Sequence, residues 1–247
     1  MNYRPAKFSF LPEVVKNLLI INSLFFLGTY VMESSFDINL VDFLGLHPFQ
    51  SPDFRPHQIV THLFMHGNLG HIFFNMFALW MFGNQLENVW GSKRFLTYFL
   101  ITGIGAAALH IGVNQLQISL LEAKMSAEQI NIVLKDGYAA LKNGMNFTDV
   151  NMRELNALYH IPTVGASGAV FGVLLAFGML FPNTLIYVYF ALPIKAKYFV
   201  LFYGAIELWS GIQNNPGDNV AHFAHLGGMI FGYFLIKYWR KNSQHFY

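Results

Sequence analysis

A chain that crosses a bilayer must satisfy its backbone polar groups internally, and a helix of about 20 mainly apolar residues does so. This sequence holds six stretches of that kind, near 14–32, 69–90, 94–115, 167–182, 197–213 and 221–239. The fourth and fifth are short and interrupted by glycine, as befits helices packed inside a bundle. Hydrophobic residues make up 54% of the 247 and charged residues only 11%, about half the charged share of a soluble domain. The expected fold class is an all-α polytopic membrane protein, with six transmembrane helices in a single domain over 1–247.

Several function classes drop out at once. There is no cysteine, so disulfides, thiol nucleophiles and thiolate metal sites are impossible. The net charge of +2 does not suggest nucleic acid as a partner. The first span follows Arg4, Lys7 and Lys16 and lacks a small-x-small cleavage site, so it reads as an anchor and not a signal peptide.

Sidedness follows from lysine and arginine, which collect on the cytoplasmic side. With the N-terminus inside, the inner segments hold ten of the fifteen such residues, from Arg4 and Lys7 to Lys237, Arg240 and Lys241. The outer segments hold Arg55, Lys124, Lys135, Lys142 and Arg153, with most of the acids, Asp218 among them. Both termini are therefore expected in the cytoplasm. The long outer loop 116–160 should carry two short surface helices. One would start at the capping box Ser126–Gln129 and stop at Asn143–Gly144. The other would be capped within "NMRE" at 151–154. A lid or spacer is the expected role.

Under this topology the second, fourth and sixth spans all begin at the outer face, and the unusual polar residues sit at those beginnings. "HLFMHGNLGHIFFNMFALWMFG" at 62–83 supplies His62, His66, His71 and Asn75. "VGASGAVFG" supplies Ser167, and "VAHFAHLGGMIFG" supplies His222 and His225. Polar groups inside a membrane are costly and are functional candidates for that reason. His71 and Asn75 are four residues apart and share a helix face. Ser167 stands at a helix N-terminus, where unbonded N–H groups favour negative charge. Gly168 and Gly172, and the row Ala224, Gly228 and Gly232, would let the fourth and sixth spans approach closely. That approach would bring His225 within reach of Ser167. A serine, a histidine able to deprotonate it, and nearby N–H donors make an acyl-transfer site. No acid is evident to orient the histidine, so the expectation is a dyad and not a triad. The soluble hydrolase elbow G-x-S-x-G is absent, since residue 169 is alanine.

These motifs resemble the rhomboid family of intramembrane serine proteases. The resemblance rests on "HLFMHGNLGHIFFN", on "GASG" at 165–168, on "AHLGGMIFG" at 224–232, and on "GNQLENVWGSKRF" at 83–95. It covers about 55–240 and implies a six-helix rhomboid-like bundle. By position it implies Ser167 as nucleophile and His225 as general base. It puts the oxyanion groups on the Ser167 backbone N–H, His71 and Asn75. Gly165 and Gly168 fall on family glycines around the nucleophile, and Glu87 on a structural glutamate. Two departures stand out: His57–Gln58 where many members have Trp-Arg, and Phe171 where some have tyrosine. His222, on nearly the same face as His225, fits the AHxxG count less well. His62, His66, His110 and Glu207 are expected to be structural, hydrogen-bonded in the loop or bundle.

The resemblance implies an endopeptidase that cleaves membrane-embedded protein substrates near the outer face, without cofactor or metal. The expected location is a multi-pass position in a bacterial inner membrane. Two other readings compete. A client-binding rhomboid pseudoprotease would lack a reacting group, whereas Ser167 and His225 are both present. A metal or haem protein could use His62 and His66, but no carboxylate or thiol joins them and GASG goes unexplained.

The topology is testable directly. A reporter fused after Tyr247 should read as cytoplasmic and a tag at Lys135 as external. The reverse pattern would remove the shared depth on which the convergence of Ser167, His225 and His71 depends.

Overall fold

The computed structural model describes residues 9–188, 191–213 and 220–242. Arg4, Lys7 and Asp218, which entered the charge reading, lie outside them. In chain order the elements are α1 (Glu13–Phe36), α2 (Leu40–Leu44), α3 (Gln58–Thr61), α4 (Leu69–Ala78), α5 (Asn84–Trp90), α6 (Ser92–Glu122), α7 (Ala127–Lys142), α8 (Val150–His160), α9 (Ser167–Leu180), β1 (Leu185–Val188), β2 (Leu192–Lys195), α10 (Ala196–Gln213) and α11 (His222–Asn242). A 3₁₀ turn at His62–Phe64 follows α3, and a π turn at Leu79–Gly83 joins α4 to α5.

Two described helices, α1 and α6, are long and apolar enough to cross a membrane, and α9 is a shorter apolar helix. Large apolar side chains stand exposed along α1 (Leu24, Leu27, Tyr30), α10 (Leu201, Phe202, Trp209) and α11 (Ile230, Phe234). Patches on that scale suit a lipid environment and not water.

The fold departs from the expected all-α pattern at one point. β1 and β2 form an antiparallel hairpin, with Leu185 opposite Lys195 and Val188 opposite Leu192, between α9 and α10. The two four-residue strands, Leu-Ile-Tyr-Val and Leu-Pro-Ile-Lys, are too short to register as anything but loop in a search for 20-residue spans. The third span is also longer than 94–115. α6 runs on to Glu122 because "VNQLQISLLE" holds no helix breaker, and because Ile118 and Leu121 pack against Val133, Leu155 and Tyr159 in a second small core. α7 and α8 are thus seated on an extension of α6. The Ser126–Gln129 capping box forms. α8 is capped not within 151–154 but by Asp149, whose side chain accepts from the Met152 N–H.

α9 lies at the centre. Gly168, Ala169, Val170, Gly172, Val173 and Ala176 are all buried, so neighbours approach it on every side. A Cβ on Gly228 of α11 would land on the Gly168 carbonyl, and one on Gly168 would strike Ala106 of α6. One on Gly172 would meet Thr102 at 2.7 Å. Tyr98, fully buried on α6, donates its hydroxyl to the Gly172 carbonyl at 2.8 Å. In lipid there is little hydrophobic drive between helices, so close van der Waals packing of small residues and such hydrogen bonds carry their association.

Glu87 ties the far end of the bundle. Its carboxylate accepts the Val14 and Val15 N–H groups at 2.9 and 2.8 Å and the Ser92 hydroxyl at 2.6 Å. These are first-turn N–H groups of α1, which have no partner inside the helix. An acid there also suits the helix dipole.

Before α4, the segment 57–66 folds into turns that bury two histidines. His62 Nδ1 donates to the Gln58 carbonyl at 2.8 Å. His66 packs its ring against that of His71, with centroids 5.0 Å apart. Burial lowers His62 from 6.5 to about 4 despite that hydrogen bond. Burial, with His71 close by, lowers His66 from 6.5 to about 4 as well.

Two predictions follow from this packing. Gly228→Ala should destabilise by about 1–3 kcal/mol, because backbone and not a pliable side chain meets the new methyl. Gly28→Ala, with nothing within 4 Å of the added carbon, should stay within about 0.5 kcal/mol of wild type. Equal effects in denaturant unfolding would show that the α9–α11 approach is not tight. The second concerns pH. Between about 4 and 6.5 the folded state binds fewer protons than the unfolded one at His62 and His66. Their contribution is therefore full above pH 6.5 and lost as pH falls toward 4. The unfolding midpoint should drop across that window, with a smaller drop in His66→Gln; an identical slope in the variant would contradict it.

Candidate active site

Ser167 is the first residue of α9, and the four residues before it form a pinned loop. Thr163 exchanges backbone hydrogen bonds with Leu46, both 2.9 Å. Its hydroxyl pairs with His110 Nε2 of α6 at 2.8 Å. Gly165 donates its N–H to the His62 carbonyl at 2.9 Å. Gly165 has φ +124°, in the region that favours glycine, and a Cβ there would sit 2.7 Å from His71 Nε2 and 3.6 Å from Ser167 Oγ. Both requirements, backbone and space, therefore select glycine at 165. The His71 ring and the Ser167 hydroxyl border the same point beside the loop. A narrow cavity of about 10 Å³, room for about one water, touches Ser167, Gly165, His62, His110 and Ala224.

His71 and Asn75 come from α4. Asn68 caps that helix by accepting the His71 N–H at 2.8 Å. Asn75 is buried, and its Nδ2 donates to the His71 carbonyl at 3.1 Å. A side-chain amide carries two N–H hydrogens, so one is available for a further acceptor.

His225 is the fourth residue of α11, and the Gly168–Gly228 contact sets it beside α9. A Cβ on Gly168 would lie 3.3 Å from the carbonyl of Ala224, the residue preceding His225. Phe171, one turn along α9 from Ser167, lies flat on the imidazole with centroids 4.1 Å apart and planes 6° from parallel. The phenylalanine thus supplies the ring face needed to fix the imidazole plane. Among the described residues no hydrogen bond joins Ser167 to His225. Catalytic contacts of this kind are often long in a free enzyme and tighten when substrate arrives.

One residue corrects the expectation of an unsupported histidine. Glu207 of α10, expected only to be structural, is buried and accepts from His225 Nδ1 at 2.8 Å. The same oxygen, Oε2, accepts from His222 Nδ1 at 2.7 Å. His222 is therefore a neighbour of the site that shares the carboxylate. A sequence signal for this existed. Gly204, Glu207 and Gly211 fall at i, i+3 and i+7, one face of α10. A Cβ on Gly204 would meet Met229 at 3.1 Å and one on Gly211 would meet His222 and Phe223 at 3.2 Å. The two glycines draw α11 onto the face that carries the acid.

Glu207, His222 and His225 bring three potential ligand atoms within 4.8 Å of one another. The separations of 2.7 and 2.8 Å from Oε2 are hydrogen-bond lengths. Donors around a tetrahedral zinc at ~2.0–2.1 Å stand roughly 3.3 Å apart, so the cluster fits shared hydrogens better than an ion. His62 and His66, the metal pair considered from sequence, belong to no such cluster among the described residues: His62 Nδ1 is taken by Gln58, and neither His66 nitrogen has a hydrogen-bond partner among those residues.

Residues 53–242 match the family model for the Rhomboid domain. The chain is 26% identical over 216 residues to RHOMBOID-like protein 12, mitochondrial, of Arabidopsis thaliana, covering 87% of this chain and 55% of that protein. It is 27% identical over 190 residues to Rhomboid protein 1, mitochondrial, of Saccharomyces cerevisiae, covering 75% and 44%. A shorter match, 36% over 58 residues, covers 24% of this chain and 14% of Rhomboid-like protein 15 of Arabidopsis thaliana. The chain thus spans about half the length of the first two relatives. With three helix ends gathered around one serine and a domain match over most of its residues, this chain belongs to the rhomboid family.

Proposed function

We propose that this protein is an intramembrane serine endopeptidase that cleaves transmembrane protein substrates near the outer face of its membrane. Family membership supports intramembrane proteolysis in general. The observation that supports the specific reading is the Gly168–Gly228 contact, which sets the start of α11, with His225 stacked on Phe171, against the helix that begins at Ser167.

In this reading six segments span the bilayer: α1, α4 with α5, α6, α9, α10 and α11, with both termini cytoplasmic and the whole chain one domain. A substrate segment unwinds beside the enzyme. Ser167 Oγ bonds to the scissile carbonyl carbon as its proton passes to His225 Nε2. The carbonyl oxygen takes the electron pair and is held by the Ser167 N–H, the spare Asn75 N–H and His71. The C–N bond then breaks and His225 returns the proton to the leaving amine. Water repeats the sequence on the acyl-enzyme. Preorganised donors of this kind supply a large share of acyl-transfer catalysis. Gly165 keeps the loop open beside His71, Gly168 admits α11, and Glu87 anchors α1 away from the chemistry.

The protein is membrane-associated as a rhomboid. The two relatives covering most of the chain carry mitochondrial names, so the bacterial inner membrane expected from sequence has no support from them and is not carried forward.

A fluorophosphonate probe should label wild type and leave Ser167→Ala unlabelled at an unchanged unfolding midpoint; equal labelling of both would remove the nucleophile assignment. Asn75→Ala and His71→Ala should each lower turnover by ~10²–10³, while Ser167 still reacts with the probe. Wild-type turnover in both would remove the oxyanion role.

A further inference from the structure

We propose that Glu207 is a positioning residue that completes a Ser167–His225–Glu207 triad, holding the general base in its productive tautomer. The inference rests on the protease reading of Ser167 and His225.

The argument begins with the donor and acceptor roles. An ionised carboxylate only accepts hydrogen bonds. Its contacts to His225 Nδ1 at 2.8 Å and His222 Nδ1 at 2.7 Å therefore require a hydrogen on each Nδ1. In a neutral imidazole a hydrogen on Nδ1 leaves Nε2 as the lone-pair nitrogen. His225 is thereby held with Nε2 ready to take the serine proton. The opposite tautomer would carry a hydrogen on Nε2 and could not act as base.

Three constraints fix the ring. Glu207 holds one edge from α10. Phe171 lies flat on one face from α9, 6° from parallel. The ring is attached to α11, whose start is pressed onto α10 at Gly211. Glu207 is itself buried, 5% exposed, so water does not compete strongly for the carboxylate. When Nε2 accepts the serine proton the imidazole becomes positive, and the adjacent carboxylate stabilises that charge, as the acid does in other serine-protease triads. Glu207 does not touch the substrate and takes no proton in the step.

His222 divides the same carboxylate oxygen. Its hydrogen bond at 2.7 Å helps to hold Glu207 in place. His222→Ala should therefore lower turnover less than Glu207→Gln does, because the hydrogen bond from His225 to the carboxylate remains.

The experiment compares Glu207→Gln, Glu207→Asp and Ser167→Ala on a transmembrane peptide substrate, with unfolding measured for each. Glu207→Gln should lower kcat by about 10²- to 10⁴-fold, with KM and the unfolding midpoint little changed. Glu207→Asp, which keeps the charge, should recover part of that loss. Nitrogen NMR of histidine-labelled wild-type enzyme gives a readout that needs no variant to fold: His225 should carry its hydrogen on Nδ1. A wild-type kcat in Glu207→Gln, or a His225 hydrogen found on Nε2, overturns the assignment. Should Ser167→Ala still cleave, the protease reading itself falls. With Ser167→Ala dead and Glu207→Gln at full rate, only the role of Glu207 falls.

Discussion

The site depends on one contact, the approach of α11 to α9 at Gly228 and Gly168. No side chain separates the two backbones there, and any Cβ on Gly228 would occupy the Gly168 carbonyl. This closeness brings residues one turn or less away to the same end of the pair: Ser167 precedes Gly168, and His225 precedes Gly228 by three. In a membrane such an approach is driven by packing and not by release of water, so its geometry is set by the smallness of the residues. The same logic extends along both helices, where Gly172 meets Thr102 and Gly232 meets Tyr98. The row of small residues is the scaffold on which the polar groups are carried.

Around that contact the polar groups are held in place by neighbouring residues. The loop before Ser167 is tied to Leu46, His62 and His110. The cap at Asn68 sets the start of α4 and hence the position of His71 and Asn75. Phe171 and Glu207 hold His225 by a face and an edge. Each tie comes from a different part of the chain, so the site forms only when the bundle is assembled. Such support from rigid elements keeps reacting atoms within productive geometry.

Much of this was legible in the sequence, for physical reasons. Polar residues in apolar runs are rare enough to be noticed singly, which exposed Ser167, His225, His71 and Asn75. Glycine spacing showed which helices approach. What escaped was tertiary. Glu207 read only as a structural acid hydrogen-bonded in the bundle, because a face defined by Gly204 and Gly211 has meaning only once α10 is known to lie against α11. The extension of α6 to Glu122 escaped because its last turns pack onto α7 and α8, a partnership that span-length reasoning does not consider. The β1–β2 hairpin and the Asp149 cap of α8 depend on local hydrogen bonds, which apolar periodicity does not report.

The central claim is that three helix ends converge on Ser167 to attack a carbonyl and hold its oxygen. A crystal structure of the enzyme inactivated by a fluorophosphonate tests it most directly, since the tetrahedral phosphorus stands in for the tetrahedral intermediate. The account predicts phosphorus bonded to Ser167 Oγ. One phosphoryl oxygen should lie within hydrogen-bond reach of the Ser167 N–H, His71 and Asn75, with His225 beside the adduct and still bound to Glu207. An adduct on another residue, or a phosphoryl oxygen turned away from α4, would contradict it.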